Sequence, residues 1–225
     1  MKKFGFIVFA AALAIGLMFS ANCGIGGFKN MTGIQGSGTA KSEQRNVSGF
    51  SKIEAGGAMN IEITAQGDFS VTVEADDNLL QYIKTETRGD TLKIYSEGKI
   101  SPKTKMNVKI SMPDIEGLDV SGASNAVVSN VKTDSLELNA SGASKIKIEG
   151  EAKDLDSDAS GASKIDAENL RVENAKVEAS GASSSTVSAT GELKADASGA
   201  SSIYYTGEPK NINQKSSGAS SVKKK

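Results

Sequence analysis

Few side chains in this 225-residue sequence could perform chemistry, because it has no histidine and a single cysteine. Without histidine, the common catalytic triads and histidine-ligated metal sites cannot form. Three aspartates, Asp154, Asp156 and Asp158, alternate with Leu155 and Ser157 in a spacing that faintly resembles the start of a calcium-binding loop. The spacing of these aspartates therefore makes calcium binding one candidate function.

The three aspartates also fit a simpler interpretation. Successive side chains of a strand point to opposite faces, so these carboxylates would share one solvent-exposed face, about 7 Å apart. The distal bidentate glutamate of a helical calcium loop is missing. We therefore favour a solvated polar face over calcium binding, and the sequence predicts neither a metal nor another cofactor.

Repeated serines are the other candidates for chemistry. The tetrapeptide Ser-Gly-Ala-Ser occurs six times, beginning at Ser121, Ser141, Ser160, Ser180, Ser198 and Ser217. No histidine is present to act as their base, and each serine is one of a repeated set, which favours a structural role over a nucleophilic one. The sequence therefore predicts no catalytic residue and a protein that is not an enzyme.

The spacing of the tetrapeptides predicts the fold. The intervals are 20, 19, 20, 18 and 19 residues, which is a structural period. A period near 19 matches one coil of a parallel β-solenoid, in which each coil lays its strands on those of the previous coil. We therefore predict an all-β, single-domain solenoid with about 19 residues per coil.

Alternating apolar and polar residues flank each tetrapeptide, as expected of strands with one buried face. Equivalent apolar residues of successive coils should stack inside the solenoid: Ala126 and Val128, then Ile146 and Ile148, then Ile165 and Ala167.

The tetrapeptide itself should form a corner, because glycine reaches positive φ without steric cost. The predicted corner glycines are Gly122, Gly142, Gly161, Gly181, Gly199 and Gly218. The alanines that follow should line the inside of the tight bend: Ala123, Ala143, Ala162, Ala182, Ala200 and Ala219. The flanking serines should form ladders whose hydroxyls bond backbone groups at the corner or the serine one coil away.

Residues 1–22 have the layout of a signal peptide, with Lys2 and Lys3 before an apolar run that is somewhat short for a membrane span. Small residues then lead to Cys23, as in a bacterial lipoprotein signal whose cysteine is lipidated. Asn22 departs from the Gly or Ala usual before that cysteine. The alternative is a plain secretory signal with an unmodified cysteine.

Three segments follow from these patterns. Residues 1–22 are the signal peptide, residues 23–45 a lipid anchor and flexible glycine-rich tether, and residues 46–225 the solenoid domain. Regular coils start at residue 118. Before them, a degenerate corner at Gly56-Gly57-Ala58-Met59 predicts irregular first coils, with strands at 59–64, 69–74, 83–87, 91–95 and 106–111 and a short helical turn at 77–82.

Several ordered motifs carry a family resemblance: Val47-Ser48-Gly49-Phe50-Ser51-Lys52-Ile53, Gly57-Ala58-Met59-Asn60-Ile61, Pro113-Asp114-Ile115 and the Gly-Ala-Ser coils. Together they resemble the putative auto-transporter adhesin head GIN domain family over about residues 46–222. The resemblance implies a right-handed parallel β-helix, exported and attached to the bacterial envelope. It implies no catalytic residue.

Charge and composition narrow the classes of molecule that the protein could bind. The formal net charge is −1, and no basic patch interleaved with aromatic residues appears. Both observations argue against a nucleic-acid partner. We predict a non-catalytic lipoprotein of the cell envelope, held to the outer membrane by its N-terminal lipid on the periplasmic side or the cell surface. Its adhesin-like or scaffold role would be to bind an extracellular or periplasmic macromolecule or glycan.

One alternative class is a polysaccharide-binding or polysaccharide-cleaving β-helix, which needs a groove with clustered carboxylates, aromatics and basic residues. Only Arg45, Arg88 and Arg171 supply arginine. A second alternative, binding to ice, needs a flat Ser/Thr array, and Lys145 and Lys164 interrupt it.

Overall fold

The computed structural model describes residues 33–225. The predicted signal peptide, the lipidated Cys23 and the first part of the predicted tether lie outside these residues. Within them the only helix is a single 3-10 turn, Leu80–Tyr82. None of residues 33–225 forms a helix with the length and hydropathy that crossing a bilayer requires.

All other regular elements are strands. Those before residue 116 are β1 (Ile34–Gln35), β2 (Ala40–Arg45), β3 (Lys52–Ala55), β4 (Asn60–Thr64), β5 (Ser70–Asp76), β6 (Ile83–Arg88), β7 (Thr91–Ser96), β8 (Ile100–Ser101) and β9 (Asn107–Ser111). Those after it are β10 (Gly117–Val120), β11 (Asn125–Ala140), β12 (Lys145–Ala159), β13 (Lys164–Ala179), β14 (Ser184–Ala189), β15 (Glu192–Ala197), β16 (Ser202–Thr206), β17 (Asn211–Ser216) and β18 (Ser221–Lys224).

Strands β10 to β18 stack in parallel, coil on coil. Equivalent corners are one strand spacing apart, since the Ala162 amide donates to the Gly142 carbonyl oxygen at 2.7 Å. The parallel β-solenoid predicted from the period is confirmed.

Each coil consists of a corner and three further parts, which we name from one corner to the next. The first arm is the strand segment after a corner, the bend is the irregular segment that ends it, and the second arm runs from the bend to the next corner. The register between neighbouring coils shifts at the bend, as between Val128 and Val131 or between Ala167 and Arg171. The unequal repeat lengths are therefore absorbed at the bends, and the corners stay in register.

The predicted inward columns are confirmed. Ala126, Ile146 and Ile165 are partners on successive strands and are all buried. Outward neighbours such as Lys145 and Lys147 are exposed. Because many inward residues are only alanine or valine, the stacked backbone hydrogen bonds carry much of the stabilisation.

The corner differs from the prediction in which side chain points inward. Ala143 and Ala162 are exposed at the tip of the turn, as are the equivalent alanines, so the prediction that they line the inside of the bend is wrong. The second serine of each corner is inside instead, and Ser163 donates from its hydroxyl to the Ala140 carbonyl oxygen at 2.9 Å. Ser144, Ser183, Ser201 and Ser220 make the equivalent bond. The tip of a two-residue turn projects away from the core, and a buried alanine could not supply this donor.

The first coils do not stack in the order of the sequence. β3 pairs with β10 on one side and with β7 on the other, and β4 lies in the same way between β11 and β9. The first coil of the sequence is thus sandwiched by two that follow it. The degenerate corner does join the column, since the Ala123 amide donates to the Gly57 carbonyl oxygen at 2.7 Å.

Antiparallel strands close the N-terminal end of the solenoid. β6 pairs with β7, β5 pairs with β9, and β2 covers β5. The prediction of a flexible tether over residues 23–45 is therefore wrong for its last part, because β2 is a strand of this cap. The sequence of β2 has no apolar–polar alternation that would predict a strand, because β2 is an edge strand with nearly all of its side chains exposed.

Candidate functional site

The start of each second arm borders a groove of about 850 Å³ that runs across the coils from Asp114 to Lys210. We call it the charged groove. Its floor is formed by residues eight positions before each corner serine, Thr133, Ala152, Val172 and Thr190. Thr133, Ala152 and Val172 align on successive coils. Val172 then pairs with Ala189, and Thr190, the next residue, donates its backbone amide to the Val172 carbonyl oxygen at 3.1 Å. The groove is therefore a product of the repeat.

Two columns of charged side chains flank the floor. Lys132, Glu151 and Arg171 are partners on β11, β12 and β13, so this column alternates in sign. Asp134, Lys153 and Glu173 follow in the same register and alternate with the opposite phase. Neighbouring charges in a column are about 5 Å apart along the stack. The groove thus presents both signs at close spacing and has little net charge.

The groove charges are available to a ligand. All six side chains of the two columns are solvent-exposed or nearly so. Within residues 33–225, none of the six belongs to an ion pair. A polar polymer lying along the groove could meet a donor or acceptor at every coil.

The sequence did not predict this groove, and of the six charged residues in its columns only Arg171 was singled out from the sequence. The signal was present: counting nine residues back from Ser141, Ser160 and Ser180 gives Lys132, Glu151 and Arg171. Counting forward from the corner instead places the unequal bends in between and scrambles the alignment.

The three candidate calcium aspartates lie side by side on the exposed face of the second arm of β12. Asp154 accepts a hydrogen bond from the Asn174 side-chain amide at 2.8 Å, and Asp156 pairs with Lys176 at 3.2 Å. Partial burial raises the pKa of Asp158, and the nearby carboxylates of Glu178 and Asp156 raise it further. No cluster of three or more metal-ligating side chains occurs in the part of the chain that the structure describes.

The corner glycines are structural. Gly161 has a φ of +73°, and a Cβ there would lie 2.8 Å from the Gly142 carbonyl oxygen. The other predicted corner glycines, Gly122, Gly142, Gly181, Gly199 and Gly218, also have positive φ. Their side-chain hydrogen leaves room for the coil below, and they offer no group for chemistry.

Fold and groove together define a β-solenoid with a polar, repeat-built groove on its surface. The chain belongs to the family described as "Putative auto-transporter adhesin, head GIN domain", whose sequence model matches residues 49–209. The resemblance drawn from the motifs is therefore confirmed. Membership of an adhesin-type family indicates a protein of the cell envelope or surface, and no catalytic function comes with it.

Solved structures share the fold. A putative adhesin from Bacteroides fragilis is 23% identical with a TM-score of 0.72, and the match covers 86% of this chain and 100% of that one. A putative lipid binding protein from Parabacteroides distasonis is 21% identical with a TM-score of 0.56, covering 85% and 99%. A putative adhesin from Parabacteroides merdae is 19% identical with a TM-score of 0.56, covering 86% and 99%. No curated protein matches the chain.

Proposed function

We propose that this protein is a non-catalytic binding module of the bacterial cell envelope whose charged groove contacts an extended polymer. The observation that carries the proposal is the pair of alternating columns beside Thr133, Ala152 and Val172. Pockets for small molecules have a similar volume but are mostly apolar and enclosed. An open groove with a charge at each coil suits a ligand that is itself long and polar, either a glycan or an extended polypeptide.

The alternative is a polysaccharide-binding or polysaccharide-cleaving β-helix. The groove does bring carboxylates and Arg171 together. Among the residues that line it in the described chain, however, none is aromatic, so it offers no platform for stacking a sugar ring. This argues against a polysaccharide substrate and favours an extended polypeptide as the polymer in the groove.

The groove is tested with charge reversals. The mature protein, the triple variant Lys132→Glu/Lys153→Glu/Arg171→Glu and a control with Lys41→Glu/Lys84→Glu/Lys109→Glu are applied to an array of glycans and matrix proteins. We expect the control to keep the wild-type binding pattern and the groove variant to lose it at least tenfold. Equal binding by all three proteins would refute the groove as the binding site. Release of reducing ends from an array polysaccharide would favour the enzyme alternative.

We propose further that Cys23 is lipidated and holds the protein to the membrane. Nine residues lie between Cys23 and Gly33, where the described structure begins, and the ten Cα–Cα steps of this link span at most about 36 Å. Labelling cells with a palmitate analogue should mark the wild-type protein and leave Cys23→Ala unmarked. Protease added to intact cells then distinguishes surface display from the periplasmic side.

A further inference from the structure

Beside the corner, the first arms carry a basic patch that we define as Lys145, Lys147 and Lys164. Lys145 and Lys164 are partners on β12 and β13, and Lys147 lies two residues along β12. All three are exposed. No ion pair within residues 33–225 includes any of them.

On the other side of the corner, the second arms carry an acidic column. It occupies the position two residues before the first five corner serines and runs through Asp119, Asn139, Asp158, Glu178 and Asp196, continuing below to Glu54. The same position before the last corner serine is Lys215, the partner of Asp196 on β17, so the acidic column ends at Asp196. Glu178 pairs with Lys176 at 3.0 Å, and Glu54 pairs with Lys93. Asp119, Asp158 and Asp196 belong to none of the ion pairs that the structure describes.

Like charges are crowded in this column. Partial burial raises the pKa of Asp119, and the carboxylates of Glu54 and Glu137 add to the effect. Of the acidic residues in the column, Glu54 and Glu178 belong to ion pairs within residues 33–225 and the aspartates do not, so the column keeps a net negative charge. The basic patch keeps a net positive charge, although Asp166 is the partner of Lys147 on the neighbouring strand. The two do not neutralise each other within the molecule because the corner holds them on different faces.

The corner between the two surfaces carries only short side chains at its tip. Its exposed tip consists of Gly-Ala pairs such as Gly142-Ala143 and Gly161-Ala162. Nothing longer than a methyl group projects there, so a second protein can approach both surfaces at once.

We propose that this edge binds a second copy of the chain, with the basic patch of each copy against the acidic column of the other. A two-fold axis parallel to the solenoid places unlike surfaces opposite each other on both sides of the corner. A two-fold axis perpendicular to the solenoid would oppose like charges. The pair therefore consists of solenoids that run in the same direction, as two copies anchored to one membrane would. The charged groove begins at the other end of the second arm and is left free.

Three proteins test the pairing by sedimentation equilibrium. The basic variant carries Asp119→Lys/Asp158→Lys/Asp196→Lys, and the acidic variant carries Lys145→Glu/Lys147→Glu/Lys164→Glu. We expect wild type at low salt to approach twice the monomer mass and to return to monomer mass near 1 M NaCl, where charges are screened beyond about 3 Å. Each variant alone should stay monomeric because its two surfaces then have the same sign.

The decisive measurement is the mixture of the two variants. Each retains one native surface and carries one reversed surface, so an equimolar mixture should restore the dimer mass at low salt. Circular dichroism checks that each variant is folded, and the single reversals Lys164→Glu and Asp158→Lys replace any triple variant that is not. A monomeric wild type at low salt overturns the proposal, as does a mixture that stays monomeric. Capture of dextran sulfate by a monomeric wild type would assign the lysines to an anionic polymer instead.

Discussion

Residues 117–225 and residues 33–116 contribute to one hydrogen-bonded sheet by different means. In the regular part, each coil stacks on its neighbour in sequence, and the corner is built from glycine geometry and a serine hydroxyl. In the cap, strands far apart in sequence interleave, and specific side chains hold them, such as the Phe50 and Phe69 rings with centroids 5.0 Å apart. The regular part therefore depends on backbone clearance, and the cap depends on individual contacts.

The largest expected effect is at a corner of the regular part. Gly161→Ala places a Cβ 2.8 Å from the Gly142 carbonyl oxygen at a φ of +73°. We expect a loss of about 3 kcal/mol in the free energy of unfolding, from the backbone conformation and the clash together. The matched control in the cap is Gly89→Ala, with a φ of +63° and no atom within 4 Å of the added Cβ. It should cost only about 1 kcal/mol. Urea denaturation measures both, and equal losses would refute the role of clearance.

A smaller effect is expected at the buried carboxylate of the cap. Asp76 accepts backbone amide hydrogen bonds from Gly38 at 2.6 Å, Lys103 at 2.9 Å and Thr104 at 3.1 Å. Burial raises the pKa of Asp76, but these donors outweigh it and leave the pKa below its ordinary value of 3.8. Asp76→Asn should therefore lower the melting temperature and increase amide exchange in residues 36–45.

The pH dependence gives the sign of the Asp76 effect. A lowered pKa stabilises the fold fully above the ordinary value and loses that contribution as the pH falls through the folded value. The gap in melting temperature between wild type and Asp76→Asn should thus be constant above about pH 5 and shrink below pH 3.8. A gap that does not change with acid would contradict this assignment.

The smallest effect compares two buried serines. Ser163 donates to the Ala140 carbonyl oxygen, whereas the buried Ser157 hydroxyl has no partner. Ser163→Ala should cost about 1 kcal/mol, and Ser157→Ala should stabilise by up to about 1 kcal/mol. Thermal unfolding resolves the two signs, and a destabilised Ser157→Ala would show that its hydroxyl is satisfied.

Periodicity made the regular part predictable. The inward columns of Ala126, Ile146 and Ile165 follow from alternation, and the stacking of corners follows from the repeat length. Orientation within the corner could not be read in the same way. A positive φ at glycine interrupts the strand alternation, so the side that Ala162 or Ser163 faces is decided by the turn.

The cap was predictable strand by strand but not in its order. Predicted strands at 59–64, 83–87 and 91–95 match β4, β6 and β7 within a residue. Their arrangement could not be predicted because no repeat relates them, and because β3 and β4 are paired on both sides by later segments. The groove was missed because its charges are periodic only when counted from the corner that follows.

The sandwiched first coil has a consequence for how the chain folds. A polypeptide made from its N-terminus cannot complete the surroundings of β3 and β4 until residues as distant as Ser129 have been synthesised. From there each added coil needs only the one before it. Folding is therefore expected to start with the slow pairing of β3 and β4 with strands distant in sequence. It should continue by the faster addition of one coil at a time toward Lys225.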